Sequence, residues 1–305
     1  MKHRTKNTPS SSTRRLALLA LAGTLCTGVF ATEGGGSTYP VGTENFTAGA
    51  APPPGLYVLE YLNRYTATRV NDAQGDAVPV PGFKVRANVA ATRIIWVTPV
   101  ELLGGNLAAH TILPLVDLSV RAGGASDSRT GLGDVTVGGA VAWHHSAKLH
   151  TVAGLDAVLP TGAYDRNRQA NIGRNYLSLQ PIGVVTWMDP HGLNADVKAT
   201  LNFNRTNDDT GYRSGREFIA DYALGWGLGG GWIVGVSGYV YRQWSDDKLN
   251  GAVVSGARGR SQSIGPSIRY ANDKGWLITA KVEKEFGARN RAQGSAFWLR
   301  TTVPF

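Results

Sequence analysis

From residue 56 onward the chain alternates apolar and polar positions with a period of two. The clearest stretch is 193–204. There Leu193, Ala195, Val197, Ala199, Leu201 and Phe203 fall on one side of an extended chain, and Asn194, Asp196, Lys198, Thr200, Asn202 and Asn204 on the other. The same alternation runs through 83–89, where Lys84, Arg86 and Asn88 form the polar side, through 133–144, and through 276–286, where Lys281, Glu283 and Glu285 do. The pattern predicts twelve strands, at about 56–66, 83–98, 107–121, 133–146, 148–160, 176–188, 193–204, 217–228, 232–244, 261–271, 276–286 and 295–305. Pro114 interrupts the third of these. Each is long enough to cross a bilayer at a tilt, which takes about 9–11 residues.

The connections alternate in length. Those at 67–82, 122–132, 161–175, 205–216, 245–260 and 287–294 are long, and the intervening ones are mostly short. Short turns on one side and long loops on the other are the plan of an outer-membrane barrel. The expected fold class is therefore all-β, a transmembrane antiparallel β-barrel of about 12 strands, with both ends on the short-turn, periplasmic side. Tryptophan agrees: Trp96, Trp143, Trp187, Trp226, Trp232 and Trp276 all fall beside short turns, at one interface, where an amphipathic ring settles.

Two segments precede the barrel. Lys2, Arg4, Lys6, Arg14 and Arg15 lead into an apolar run at 16–30, with small residues at Val29 and Ala31. This reads as a secretory signal peptide, 1–31, too short to span a bilayer. It carries Cys26, the single cysteine, so the mature chain is expected to have no thiol chemistry. Residues 32–55 are rich in Gly and Pro and include Pro52-Pro53-Pro54-Gly55. Proline removes ladder donors, so this is an irregular extension, expected to fold into the periplasmic mouth and narrow it. The barrel takes 56–305.

Composition narrows the alternatives. Only 17% of the 305 residues are charged, against about 25% in soluble domains, and glycine stands at 39. A mean hydropathy of -0.15 and one apolar run exclude a multi-span helical transporter. The net charge of +9 falls to +4 once the five basic residues of the signal are removed, so it gives no case for nucleic acid. The long loops, with 13 basic and 8 acidic residues, hold an excess of five that covers the whole of that surplus, with Arg166, Arg168 and Arg174 among them. Arginine pairs bidentately with phosphate, which makes lipopolysaccharide a natural partner besides outer-membrane lipid.

Little in the chain points to catalysis. Gly225-Trp-Gly-Leu-Gly-Gly230 matches a dinucleotide fingerprint in letters, but no strand–helix unit surrounds it. His144, His145 and His150 cluster across a short turn, best read as a polar periplasmic rim rather than a metal site. His145-Ser146 is the nearest approach to a hydrolase pair, and adjacent side chains on a strand face opposite ways. No enzyme activity, cofactor or metal is expected. Lys84, Arg86, Asp196, Lys198, Asp221, Lys281 and Glu283 are the candidate lumen-lining residues. Their mixed signs suit a hydrated channel or, alternatively, a barrel closed by cross-lumen ion pairs.

Several short motifs carry a resemblance. They are Glu33-Gly-Gly-Gly-Ser-Thr-Tyr39-Pro40-Val-Gly42 followed by Pro52-Pro53-Pro54-Gly55, Gly131-Leu-Gly133-Asp134, Leu159-Pro160-Thr161-Gly162-Ala163-Tyr164, Asn171-Ile-Gly173 with Tyr176, and Gln180-Pro181. In these the chain resembles the "MetA-pathway of phenol degradation" family over nearly all of its mature length. The resemblance implies a bacterial outer-membrane barrel that admits small hydrophobic or aromatic solutes passively, in the setting of aromatic degradation. It brings no catalytic residues. The last strand, ending in Val303-Pro304-Phe305, resembles the signal read by the barrel-assembly machinery. A closed barrel with a structural or adhesive role is the alternative.

Overall fold

The computed structural model describes residues 32–304; the expected signal peptide and the terminal Phe305 lie outside the described residues. Among the described residues, sixteen strands follow one short 3-10 turn at Glu33–Gly35. They are β1 (Gly55–Val70), β2 (Lys84–Leu102), β3 (Gly105–Ala122), β4 (Ala125–Leu132), β5 (Val135–His144), β6 (Leu149–Leu159), β7 (Ser178–Trp187), β8 (Leu193–Asn204), β9 (Tyr212–Arg213), β10 (Glu217–Gly229), β11 (Trp232–Gln243), β12 (Asp247–Leu249), β13 (Ala252–Val254), β14 (Arg260–Ala271), β15 (Leu277–Arg289) and β16 (Ala292–Pro304). Among the described residues no helix is long and apolar enough to cross a membrane.

All barrel pairings are antiparallel, and β1 pairs with both β2 and β16, which closes the sheet. β4 and β5 both pair with β3 and behave as one interrupted strand, so the closed barrel has twelve staves. The interruption explains how Pro114 fits in β3. The β4 pairing ends at Leu115 and the β5 pairing starts at Ile112, so the missing N–H of Pro114 falls in the gap between them. The Pro114 carbonyl still accepts from Gly133 N at 2.8 Å. β9, β12 and β13 form a separate small sheet over the long loops.

The sequence pattern sets which face is which. Along β8 the polar set is buried and the apolar set exposed: Asn194, Asp196, Lys198, Thr200, Asn202 and Asn204 face inward, and Leu193 and Val197 face outward. Trp96, Trp187, Trp226, Trp232 and Trp276 are exposed on the outer wall. Trp143 sits at the same end, with its indole N–H donating to the Leu103 carbonyl at 2.9 Å. The outer wall is thus apolar, as in an outer-membrane barrel, with the tryptophan girdle at the short-turn end.

One connection departs from expectation. The stretch 122–132, expected as a long loop, is a two-residue turn at Gly123-Gly124, both with positive φ, followed by β4. Strands β2, β3 and β4 thereby continue past β5 as a three-stranded ribbon whose residues are mostly exposed or half-exposed on both faces. Polar residues there meet water on both faces, so alternation no longer distinguishes inside from outside. Lys84 and Arg86 lie on this ribbon. They are exposed and have the opposite parity from the inward Ala91, Arg93 and Val97 of the same strand. The expectation that they line the lumen is therefore corrected: they stand on the outward face of the ribbon.

Candidate functional site: an occupied lumen

The extension 32–54 contains too much Gly and Pro to join the sheet, and it lies inside the barrel. Its first residues sit among the extracellular loops. Thr32 N donates to Asp247 Oδ2 at 3.1 Å, and the Glu33 carboxylate accepts from Asn207 Nδ2, Thr210 Oγ1 and the Tyr164 hydroxyl. Burial pushes the Asp247 carboxyl above its ordinary range, opposed by the donors that converge on it, among them the Tyr212 hydroxyl and Gly215 N. From there the chain descends to Pro52-Pro53-Pro54 and enters β1 at the periplasmic end. It therefore runs through the lumen, not only at the periplasmic mouth as its composition suggested. Composition identifies a segment unable to pair as a strand but carries no information on the wall it lies against.

The two sides of the lumen treat this segment differently. Its backbone N–H groups face β7, β8 and β10. Gly42 N and Glu44 N donate to Asp221 at 2.8 and 3.0 Å, Ala48 N to Asp196 at 2.9 Å, and Gly49 N to Thr186 Oγ1 at 2.9 Å. Its carbonyls face β15 and β16. Lys281 Nζ donates to Glu44 O at 3.1 Å, and Arg300 Nη2 to Asn45 O and Phe46 O, both at 2.9 Å. In the barrel order β8 and β16 are nearly opposite. Carboxylate and hydroxyl acceptors on one side and ammonium and guanidinium donors on the other thus grip the two polar edges of one extended segment, which satisfies backbone groups that would otherwise be buried without partners.

Glu44 anchors the middle. Its carboxylate meets Arg300 at 2.7 Å, Arg93 at 3.2 Å and Lys198 at 3.9 Å, and it is 4% exposed. Tyr39 and Phe46 supply apolar anchors. Tyr39 packs on Ile219, Tyr239 and Tyr241, and Phe46 on Ala223 and Ile233. Gly225 explains part of the glycine motif: a Cβ there would come within 2.8 Å of the Phe46 ring. Elsewhere in the lumen His110 and Asp156 pair at 2.8 Å, a contact that Gly138 leaves room for.

Of the expected lumen residues, Asp196, Lys198, Asp221, Lys281 and Glu283 face inward and are buried, and the first four contact the extension. Glu283 pairs with Lys281 at 2.9 Å. Pattern reading missed Tyr39, Glu44, Arg93, His110 and Asp156. Arg93 carried a usable signal, as a lone cation among Ala91, Ile95 and Val97 on one face of β2. At the periplasmic turn His144 and His150 face each other through Nδ1 at 2.7 Å, and His145 contacts Thr151. At the outer rim a cavity of about 410 Å³ lies between Tyr176, Leu177, Arg205 and Asp208.

Comparison with known proteins follows the fold. A family model described as "Putative MetA-pathway of phenol degradation" matches residues 67–301. No curated protein matches. The COG4313 outer membrane channel from Pseudomonas putida F1 superimposes with a TM-score of 0.75 at 17% identity, over 84% of this chain and 97% of that one. The translocator domain of autotransporter NalP from Neisseria meningitidis gives 0.48 at 10% identity, over 84% and 91%. The CymD monoaromatic hydrocarbon channel gives 0.43 at 7% identity, over 83% and 89%. At these identities the likeness is one of fold.

Proposed function

The chain belongs to that phenol-degradation family, and from this premise we propose that it is a passive outer-membrane channel for small hydrophobic or aromatic solutes, with its own extension as the gate. The observation that carries the reading is the nature of the lumen's occupant. It is a segment of the chain, held in the lumen by hydrogen bonds and ion pairs and continuous with β1. Behind it stands a polar, charged wall of the kind that lines hydrated pores. Asp196, Lys198, Asp221, Lys281 and Glu283 line the pathway in this proposal. No catalysis is assigned to it. The outer loops, rich in arginine, rest against lipopolysaccharide phosphates, and the last strand is read by the barrel-assembly machinery.

Deleting residues 32–50 tests the gate. The shortened barrel is expected to assemble and to conduct and swell liposomes faster than the full chain. Cells with the gene are expected to grow faster on low concentrations of aromatic compounds than cells without it. A folded deletion that conducts no better, together with equal uptake in the two strains, replaces the channel with the closed structural barrel, which the filled lumen also favours.

A further inference from the structure

Tyr39 is 7% exposed, and its surroundings divide cleanly by origin. The ring belongs to the extension. Its apolar seat belongs largely to the wall, with Ile219 on β10 and Tyr239 and Tyr241 on β11, all fully buried. The hydroxyl donates to Asp221 Oδ2 at 2.6 Å, and Lys198 Nζ stands 5.0 Å from the ring centroid. An aromatic slot, a cation over the π face and an acceptor for one O–H together recognise a phenol. Asp221 adds an independent sign. It is 1% exposed, and its hydrogen-bond donors, Tyr39 Oη, Gly42 N and Glu44 N, all come from the extension. When the extension leaves, this wall carboxylate keeps none of them.

We infer that the Tyr39 seat is a binding site for a phenolic solute, occupied at rest by the chain's own phenol. The inference rests on the channel reading and names the solute class for that lumen. A free phenol takes the place of the Tyr39 ring, donates its hydroxyl proton to a hydrogen bond with Asp221, and so competes with the upper part of the extension for the wall. No bond is made or broken. A benzoate is refused, because its carboxylate would lie against Asp221. An anisole fits the slot but has no proton to donate, and hydrogen bonds to a charged acceptor are strong enough to make it about 10- to 100-fold weaker.

Tyr39→Ala empties the slot while leaving the rest of the extension. A buried apolar cavity of about 150 Å³ is known to hold a benzene ring. Binding of phenol, anisole and benzoate to the detergent-solubilised full barrel is measured by equilibrium dialysis. Tyr39→Ala is expected to bind one phenol saturably and anisole at least tenfold more weakly. The unmodified chain is expected to bind phenol at least tenfold more weakly than Tyr39→Ala, because the tethered ring competes at an effective concentration of about millimolar or more. Tyr39→Phe, whose ring refills the slot without the hydroxyl, is expected to bind phenol more weakly than Tyr39→Ala but more tightly than the unmodified chain. Equal binding of phenol and anisole, or no saturable site in folded Tyr39→Ala, overturns the inference. Should Tyr39→Ala not fold, Thr43→Cys in the otherwise unmodified chain replaces it. Phenol, and not anisole, is then expected to speed labelling of that thiol by a water-soluble maleimide, and equal rates overturn the inference. A deletion barrel that passes solutes while phenol and anisole bind alike sinks the seat and leaves the channel standing. Selective binding in a barrel that passes nothing sinks the channel instead.

Discussion

Replacing Glu44 with Gln keeps the shape of the side chain and removes one charge. In the seated state three cations converge on that carboxylate, Arg300 at 2.7 Å, Arg93 at 3.2 Å and Lys198 at 3.9 Å. With Gln in its place they are buried together and lack their shared counter-charge. With the extension unseated, the same cations are hydrated in both proteins. The penalty therefore falls almost entirely on the seated state. Breaking a buried ion pair by removing one partner costs about 3–5 kcal/mol. At about 1.4 kcal/mol per tenfold, the ratio of unseated to seated extension rises by roughly two to three and a half orders of magnitude. The backbone contacts of Lys281 and Arg300 and the Tyr39 anchor remain, so the segment still returns to its seat. Single-channel recording in planar bilayers reads the result as a larger fraction of time in a wide state, with a reversal potential shifted toward chloride. Heat-modifiable gel mobility confirms that the barrel is folded. A folded Glu44→Gln protein with the open fraction and ion selectivity of the parent would refute the idea that this cation cluster holds the gate.

Three further outcomes are expected. Val197→Arg puts a charge on the lipid face and should cost about 2–4 kcal/mol near the midplane in a liposome folding assay, whereas Lys198→Arg, on the inner face, should insert normally. In Gly138→Ala the new Cβ would lie 2.0 Å from Asp156 Oδ1 and 2.6 Å from His110 Nε2, so thermal unfolding should show a loss of about 1–3 kcal/mol. In the outer loops, the bidentate Arg258 partner holds the Asp246 carboxyl below the usual carboxylate range, with contacts of 2.8 and 2.9 Å. Its small stabilisation is present above the unfolded value of about 3.9 and is lost as pH falls through the lowered folded value, so carboxyl NMR should place the Asp246 midpoint below about 3.9 and Arg258→Ala should restore it.

The wall of the barrel was legible because each stave is a local object. Leu193 and Asp196 differ in environment for reasons written within three residues of each, and a lipid exterior enforces the alternation. The tryptophan girdle was legible on the same ground, since turn length fixes which end each ring lies at. Lys84 and Arg86 misled because the ribbon that carries them is exposed or half-exposed on both faces, where polarity stops reporting direction. The gate was illegible for a different reason. Tyr39 meets Asp221 across 182 positions of sequence, and Glu44 meets Arg300 across 256. No periodicity links such partners; only closure of the sheet brings them together.

That closure also constrains how the molecule is assembled. Thr32 lies among the outer loops, residue 55 opens β1 at the inner end, and the segment between runs through the lumen, with Glu44, Asn45 and Phe46 buried at its middle. β1 and β16 are the first and last staves, and their pairing is the seam of the barrel. A segment tied to β1 reaches its berth with least obstruction while that seam is still open, lying across the exposed inner faces of β7, β8, β10, β15 and β16. Zipping the seam afterwards encloses it. On that order of events, loading the gate and sealing the wall would be coupled, and the barrel would close with its lumen already filled.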